Sequence, residues 1–138
     1  MSSPLKRFNV TIKDFIDDLK ELLGQEDSLL QLETIVDITK VNARLIISQF
    51  QAIVIKTKFL EYILKEDTDY FLEYEYQEYM YNNYSKSFML KLKEIVHNVK
   101  DNPHIVSKIF QWLKTLIYHA LTDMGQDPVP IMRQFITS

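Results

Sequence analysis

Cysteine is absent from all 138 residues. Disulfides, thiolate nucleophiles and thiolate zinc sites are thereby excluded, and nothing in the chain calls for an oxidising compartment. Glycine occurs twice, at Gly24 and Gly125. A glycine-rich loop cradling phosphate therefore has no place to form, and none of the few serines lies in a Gly-x-Ser-x-Gly elbow. Four prolines leave long stretches of backbone uninterrupted. No apolar run reaches the roughly 18 residues of a membrane span, because Gln51, Lys56 and Lys58 break the best stretches. The opening Met-Ser-Ser-Pro-Leu-Lys-Arg has no hydrophobic signal core. The expectation is a soluble, intracellular protein without a membrane span.

Apolar residues make up 46% of the chain and charged residues 25%, ordinary proportions for a globular domain. One domain over 1–138 is expected, with 1–9 as a flexible N-terminal segment. The fold class read from spacing is all-α, a bundle of five to six amphipathic helices with a central hydrophobic helix. Thr11 and Asp14 resemble a capping box; Ile12, Phe15, Ile16, Leu19, Leu22 and Leu23 follow at helical spacing, and Gly24 ends the helix. Asp27 or Ser28 caps a second helix, with a break or kink expected near Asp37-Ile38-Thr39. A long helix through Val41, Leu45, Ile46, Ile53, Phe59, Leu60, Ile63 and Leu64 is apolar on nearly every side over 45–55, which places it centrally. Ser85 is read as the cap of a helix carrying Phe88, Leu92, Ile95 and Val96. Asn102-Pro103 opens another, which Gly125 ends. A tail helix with Ile131, Met132, Phe135 and Ile136 is expected to dock back on the bundle.

Chemistry-bearing motifs are few. Glu94 and His97 have the Glu-x-x-His spacing of di-iron bundles, but a second pair and further inward glutamates are missing, so no metal site is expected. Asp67-Thr-Asp69 superficially resembles a calcium loop, without the glycine such a loop needs. His104 falls in the first turn of its helix and His119 follows Tyr118, and neither is assigned general-base work. No catalytic residue and no cofactor is assigned.

Charge and aromatics are unevenly spread. Residues 61–78 hold seven acids against Lys65 alone, and 86–114 hold six lysines against Glu94 and Asp101. Six of the eight tyrosines, Tyr70, Tyr74, Tyr76, Tyr79, Tyr81 and Tyr84, lie in one block, expected to be helical. Tyrosine offers large contact area at low entropic cost and is enriched at interfaces. These six are the candidate interaction residues, for a protein partner or a second copy. The alternative role, as walls of the core with wet hydroxyls, suits the same spacing. Acids around the block disfavour nucleic acid.

Two stretches resemble a group of small, mostly uncharacterised helical proteins of large nucleocytoplasmic DNA viruses. Thr11-Ile-Lys-Asp-Phe-Ile-Asp-Asp-Leu-Lys-Glu-Leu-Leu is similar to their opening Asp-Phe-Ile-x-Asp-Leu helix. Ser107-Lys-Ile-Phe-Gln-Trp-Leu-Lys-Thr-Leu-Ile-Tyr is similar to their late Lys-x-Ile-Trp-x-Tyr-Leu-x-x-Leu helix. Gly24-Gln25-Glu26 stands where the group commonly has Phe-Pro-Glu, and Trp112 is shifted. The resemblance covers about a fifth of the chain. It implies a viral protein, in host cytoplasm or virion, and brings no catalytic residues. The leading expectation is a non-enzymatic interaction or structural protein. A nucleic-acid factor using Lys86, Lys91, Lys93, Lys100 and Lys108 is one rival. Another is a bundle that binds host amphipathic helices, as apoptosis regulators do, through a groove lined by the central helix.

Overall fold

The chain punctuates its own helices, and the backbone follows most of that punctuation. The computed structural model describes residues 3–24, 27–74 and 84–136, and their side chains except those of 27, 28 and 136. Within these residues it is all-helical. In chain order come α1 (Pro4–Leu23), α2 (Asp27–Val41), α3 (Leu45–Phe50), a π-helical segment (Gln51–Ile55), α4 (Phe59–Leu64), α5 (Thr68–Glu73), α6 (Tyr84–Val99), α7 (Pro103–Asp123) and α8 (Pro128–Ile136).

The first helix begins earlier than expected. Ser3 caps it, its hydroxyl accepting from Lys6 N–H at 3.1 Å, and Pro4 occupies the first turn, where its missing N–H costs nothing. Residues 4–9 are thus helix rather than a flexible lead. Phe8 shows why: it is fully buried and meets the Phe50 ring edge-on at 5.2 Å. Thr11 is no cap; its hydroxyl donates to the Arg7 carbonyl one turn back, at 2.7 Å. Gly24 closes α1 at φ +75°, and its N–H donates to Lys20 O at 2.9 Å. The side chains of Asp27 and Ser28, on which the expected cap rests, and residues 25–26 lie outside what the structure describes.

No break occurs at Asp37-Ile38-Thr39. The Thr39 hydroxyl folds back onto Val36 O at 2.6 Å and the helix continues to Val41. The chain turns instead over 42–44, where Asn9 Nδ2 donates to Ala43 O at 2.9 Å. The single long helix expected through 41–64 is likewise divided. Lys56 N–H reaches Gln51 O at 3.1 Å, five residues back, so α3 widens into the π-helical segment. The Thr57 hydroxyl then donates to Ile53 O at 2.8 Å and accepts from Phe59 N–H at 3.2 Å, completing a turn before α4. Ile46, Ile47, Phe50, Ile53 and Val54 are all buried, as the all-round apolar pattern predicted. With these divisions, eight α-helices stand among the described residues, against the five to six expected.

α4 ends on a Schellman turn whose left-handed residue is not glycine. Glu66 has φ +52°, Asp67 N–H donates to Tyr62 O and Glu66 N–H to Ile63 O, both at 3.0 Å. Lys114 holds the Glu66 carboxylate at 2.9 Å. The tyrosine block does not continue one helix: α5 stops at Glu73 and Tyr74 is extended, with ψ 127°. Ser85 is not a cap. It is buried in α6, its hydroxyl donating to Ile46 O at 2.7 Å while its own N–H is taken by Gln49 Oε1. Asn102 and Pro103 open α7 as expected, the Asn102 side chain accepting from Ile105 N–H at 3.3 Å. Gly125 follows at φ +78°.

The core joins these helices. α1 lies against α7, α2 and α3. Phe15 sits between Trp112, stacked at 5.7 Å, and Phe88, edge-on at 5.9 Å. Phe59, Phe71 and Phe110 form a second aromatic run with spacings of 5.2 and 5.3 Å. Each such ring contributes about 1.5–3 kcal/mol through burial. Ile131, Met132 and Phe135 of α8 pack on this core, so the tail docks. No helix among the described residues is long and apolar enough to cross a membrane.

Candidate functional site

The described part of the tyrosine block divides between wall and surface. Tyr74 is half-buried, stacked on Phe59 at 4.6 Å, and belongs to the wall of the core. Tyr70 is 54% exposed and Tyr84 is 41% exposed, so both present ring area to solvent. Tyr76, Tyr79 and Tyr81 lie outside the described residues. A residue that periodicity did not single out completes the cluster: Tyr62 of α4 stacks on Tyr70 at 5.1 Å and meets Tyr74 edge-on at 6.1 Å. Spacing within one helix cannot reveal that meeting, because it is made across the α4–α5 turn.

The acids near this cluster have separate roles. Asp67 caps α5, accepting from Tyr70 N–H at 3.3 Å, as an ordinary acidic turn would. Glu61 pairs with Lys65 at 2.7 Å and Glu66 with Lys114. Asp69 and Glu73 are exposed and make no ion pair with another described residue. Four residues apart, they share a face of α5, with Tyr70 beside them. The surface is therefore a half-exposed ring backed by a second ring and flanked by two free carboxylates.

The lysine-rich stretch is not an open strip. Lys91 holds Glu94 at 3.2 Å, Lys93 donates to the Tyr74 carbonyl, Lys108 approaches Asp18 at 3.9 Å, and Lys114 is taken by Glu66. Glu94 and His97 are both exposed, and no cluster of three metal-binding side chains occurs among the described residues.

His119 is half-buried on α7 against Tyr118, ring centroids 5.6 Å apart. Burial holds its pKa below the ordinary 6.5, and the Arg7 charge pushes the same way. The unfolded chain therefore takes up this proton first as pH falls. Stability is expected to decline from about pH 6.5 down through the folded value, and to level off below it. Urea midpoints collected across this window should show a shallower slope for His119→Gln than for the wild type.

Two long-range polar contacts lie outside every motif. Trp112 Nε1 donates to Asp18 Oδ2 at 2.8 Å, joining α7 to α1. Arg44 grips Asp123 with two hydrogen bonds of 3.0 and 2.6 Å, while buried Gln51 donates to the same carboxylate at 2.8 Å and to Ala120 O at 3.1 Å. Three surface cavities accompany these elements. One of about 360 Å³ lies between α2 and α6, beside Phe88 and Leu90. One of about 300 Å³ lies between α1 and α2, lined by Leu5, Val10, Val36 and Ala43 with lysines around it. The third, about 400 Å³, is the polar cleft beside Trp112.

Comparison with protein-family models, curated proteins and solved structures finds no match for this chain. α1 and α7 pack on one another.

Proposed function

We propose that the chain is a non-enzymatic protein-interaction module, built around the hydrophobic 45–55 segment as its central element and acting through its acidic, tyrosine-bearing surface. The observation that carries this is Tyr70: a half-exposed ring stacked on Tyr62 beside two unpaired carboxylates. A ring already held in place loses little entropy when a partner covers it. The resemblance of α1 and α7 to helical proteins of large nucleocytoplasmic DNA viruses supplies the setting, a viral protein acting in the host cytoplasm or the virion.

Two other roles have less support. Nucleic-acid binding needs lysines free to meet phosphates, and Lys91, Lys93, Lys108 and Lys114 are engaged within the fold. An apoptosis-regulator-like role needs a groove lined by the central segment, whereas the three cavities described are lined from α1, α2, α6, α7 and the turn after α2.

The test is affinity capture from infected or host cells with wild type, Tyr70→Ser, Tyr84→Ser and the double variant. Because both rings are substantially exposed, the variants should keep the wild-type circular dichroism. Loss of about tenfold or more of a captured protein in the double variant is the expected result. An unchanged captured set would overturn the proposal.

A further inference from the structure

The groove between the start of α1 and the end of α2 differs from the other two cavities in having no acid in its lining. Its floor is Leu5, Val10, Val36 and Ala43, and its rim is Lys6, Lys13 and Lys40. Val10 is 50% exposed and Val41, next to Lys40, is 90% exposed, so the apolar surface continues past the groove. The rim charges are only weakly neutralised. Lys13 meets Asp17 at 3.2 Å and Lys40 meets Asp37 at 3.9 Å, with all four side chains more than half exposed. Lys6 makes no ion pair with a described residue. A cationic rim over an apolar floor suits an acidic segment with an aromatic or apolar anchor.

The same chain carries such a segment. On α5, Tyr70 stands exposed beside unpaired Asp69 and Glu73, in the most acidic stretch of the sequence. α5 packs on α4 and α6, while the groove belongs to α1 and α2. We propose that the α1–α2 groove is the docking site for the α5 surface of a second copy of this chain. Tyr70 enters the apolar cleft with its hydroxyl left at the wet rim, and Asp69 and Glu73 meet the rim lysines. If both copies reciprocate, a closed dimer results; if not, the contact repeats head to tail. This inference rests on the Tyr70 surface being an interaction surface, and it names the partner.

The experiment is sedimentation equilibrium of the full chain at low and moderate salt, with charge reversals on each side. The groove variant is Lys6→Glu with Lys40→Glu, and the donor variant is Asp69→Lys with Glu73→Lys. All four positions are exposed, and circular dichroism checks that each variant is folded. The wild type should self-associate, weakening as salt rises. Each double reversal should weaken association by about tenfold or more, and mixing the two variants should restore a mixed complex. A wild type that stays monomeric at low salt up to millimolar concentration overturns the inference, as does a mixture that recovers nothing. If self-association fails while tyrosine-dependent capture persists, only the identity of the partner is wrong. If charge exchange works but Tyr70→Ser and Tyr84→Ser alter no capture, the aromatic surface is not the binding element.

Discussion

Phe8→Ala is expected to cost about 3–5 kcal/mol of unfolding free energy, read as a lowered urea midpoint at an unchanged slope. The ring is fully buried and packs edge-on against Phe50, so truncation leaves a cavity between α1 and α3 that neither helix can easily close. Small domains hold only about 5–15 kcal/mol in total, so the variant would stand close to unfolding. Val10→Ala, two residues on, is the control, since Val10 is 50% exposed and its loss should fall within about 0.5 kcal/mol. Equal midpoints for Phe8→Ala and wild type would mean that the first turns of α1 do not dock, and that residues 4–9 are a loose lead after all.

Asp123→Ala is expected to cost about 2–3 kcal/mol, because one nearly buried carboxylate accepts from both Arg44 and Gln51. Removing it leaves buried Gln51 with only the Ala120 carbonyl. Arg44→Ala should cost less, about 1 kcal/mol, since the arginine is 55% exposed and water readily replaces its partner. The Arg44 hydrogen bond is the main cause that holds the Asp123 carboxyl below its ordinary 3.8. Burial opposes it, and the Gln51 hydrogen bond and the Arg44 charge add to it. The stabilisation is therefore complete above the unfolded value and is lost as pH falls through the folded one. Urea midpoints of wild type and Asp123→Ala should converge in acid; a gap that stays constant down to the lowest pH at which the fold survives would show that packing, and not ionisation, carries the contribution.

Local signals and structure agree where the physics is local. Gly24 and Gly125 both adopt positive φ, and Asn102-Pro103 opens α7 by capping its own first turn. These outcomes depend on a few adjacent residues, so they are legible without neighbours. The structure departs from the local signals where a side chain reaches across the fold. Thr11 has the spacing of a cap to Asp14, yet Phe8 packs across on Phe50 and the helix is capped at Ser3, eight residues earlier. Ser85 carried a cap signature but found the Ile46 carbonyl, 39 residues away. The break after α2 moved from Asp37 to 42–44, where Asn9 and Arg44 make their long-range bonds. Hydrophobic spacing over 45–64 announced burial without showing that the backbone widens into a π-helical segment, since a stretch apolar on nearly every side has no period to tell five-back from four-back bonding.

The candidate surface was legible only in outline. Composition located the acids and tyrosines, but it could not separate Tyr74, stacked on Phe59, from Tyr70, left half in water. Nor could it show that Lys91, Lys93, Lys108 and Lys114 are engaged within the fold while the less conspicuous Lys6, Lys13 and Lys40 ring an apolar groove.

Helical spacing and the scarcity of glycine and proline sufficed for an all-helical chain, because side chains every three to four residues can hide from water only by forming one stripe of a helix. The absence of cysteine and the presence of only two well-separated glycines, Gly24 and Gly125, likewise remove thiol and glycine-rich phosphate-loop chemistry. Which tyrosine is wall and which is surface, which lysine is free, and where Asp123 finds Arg44, 79 residues away, followed from how the helices stack. Such pairings are set by the shape of the shared core, and no single helix contains that shape.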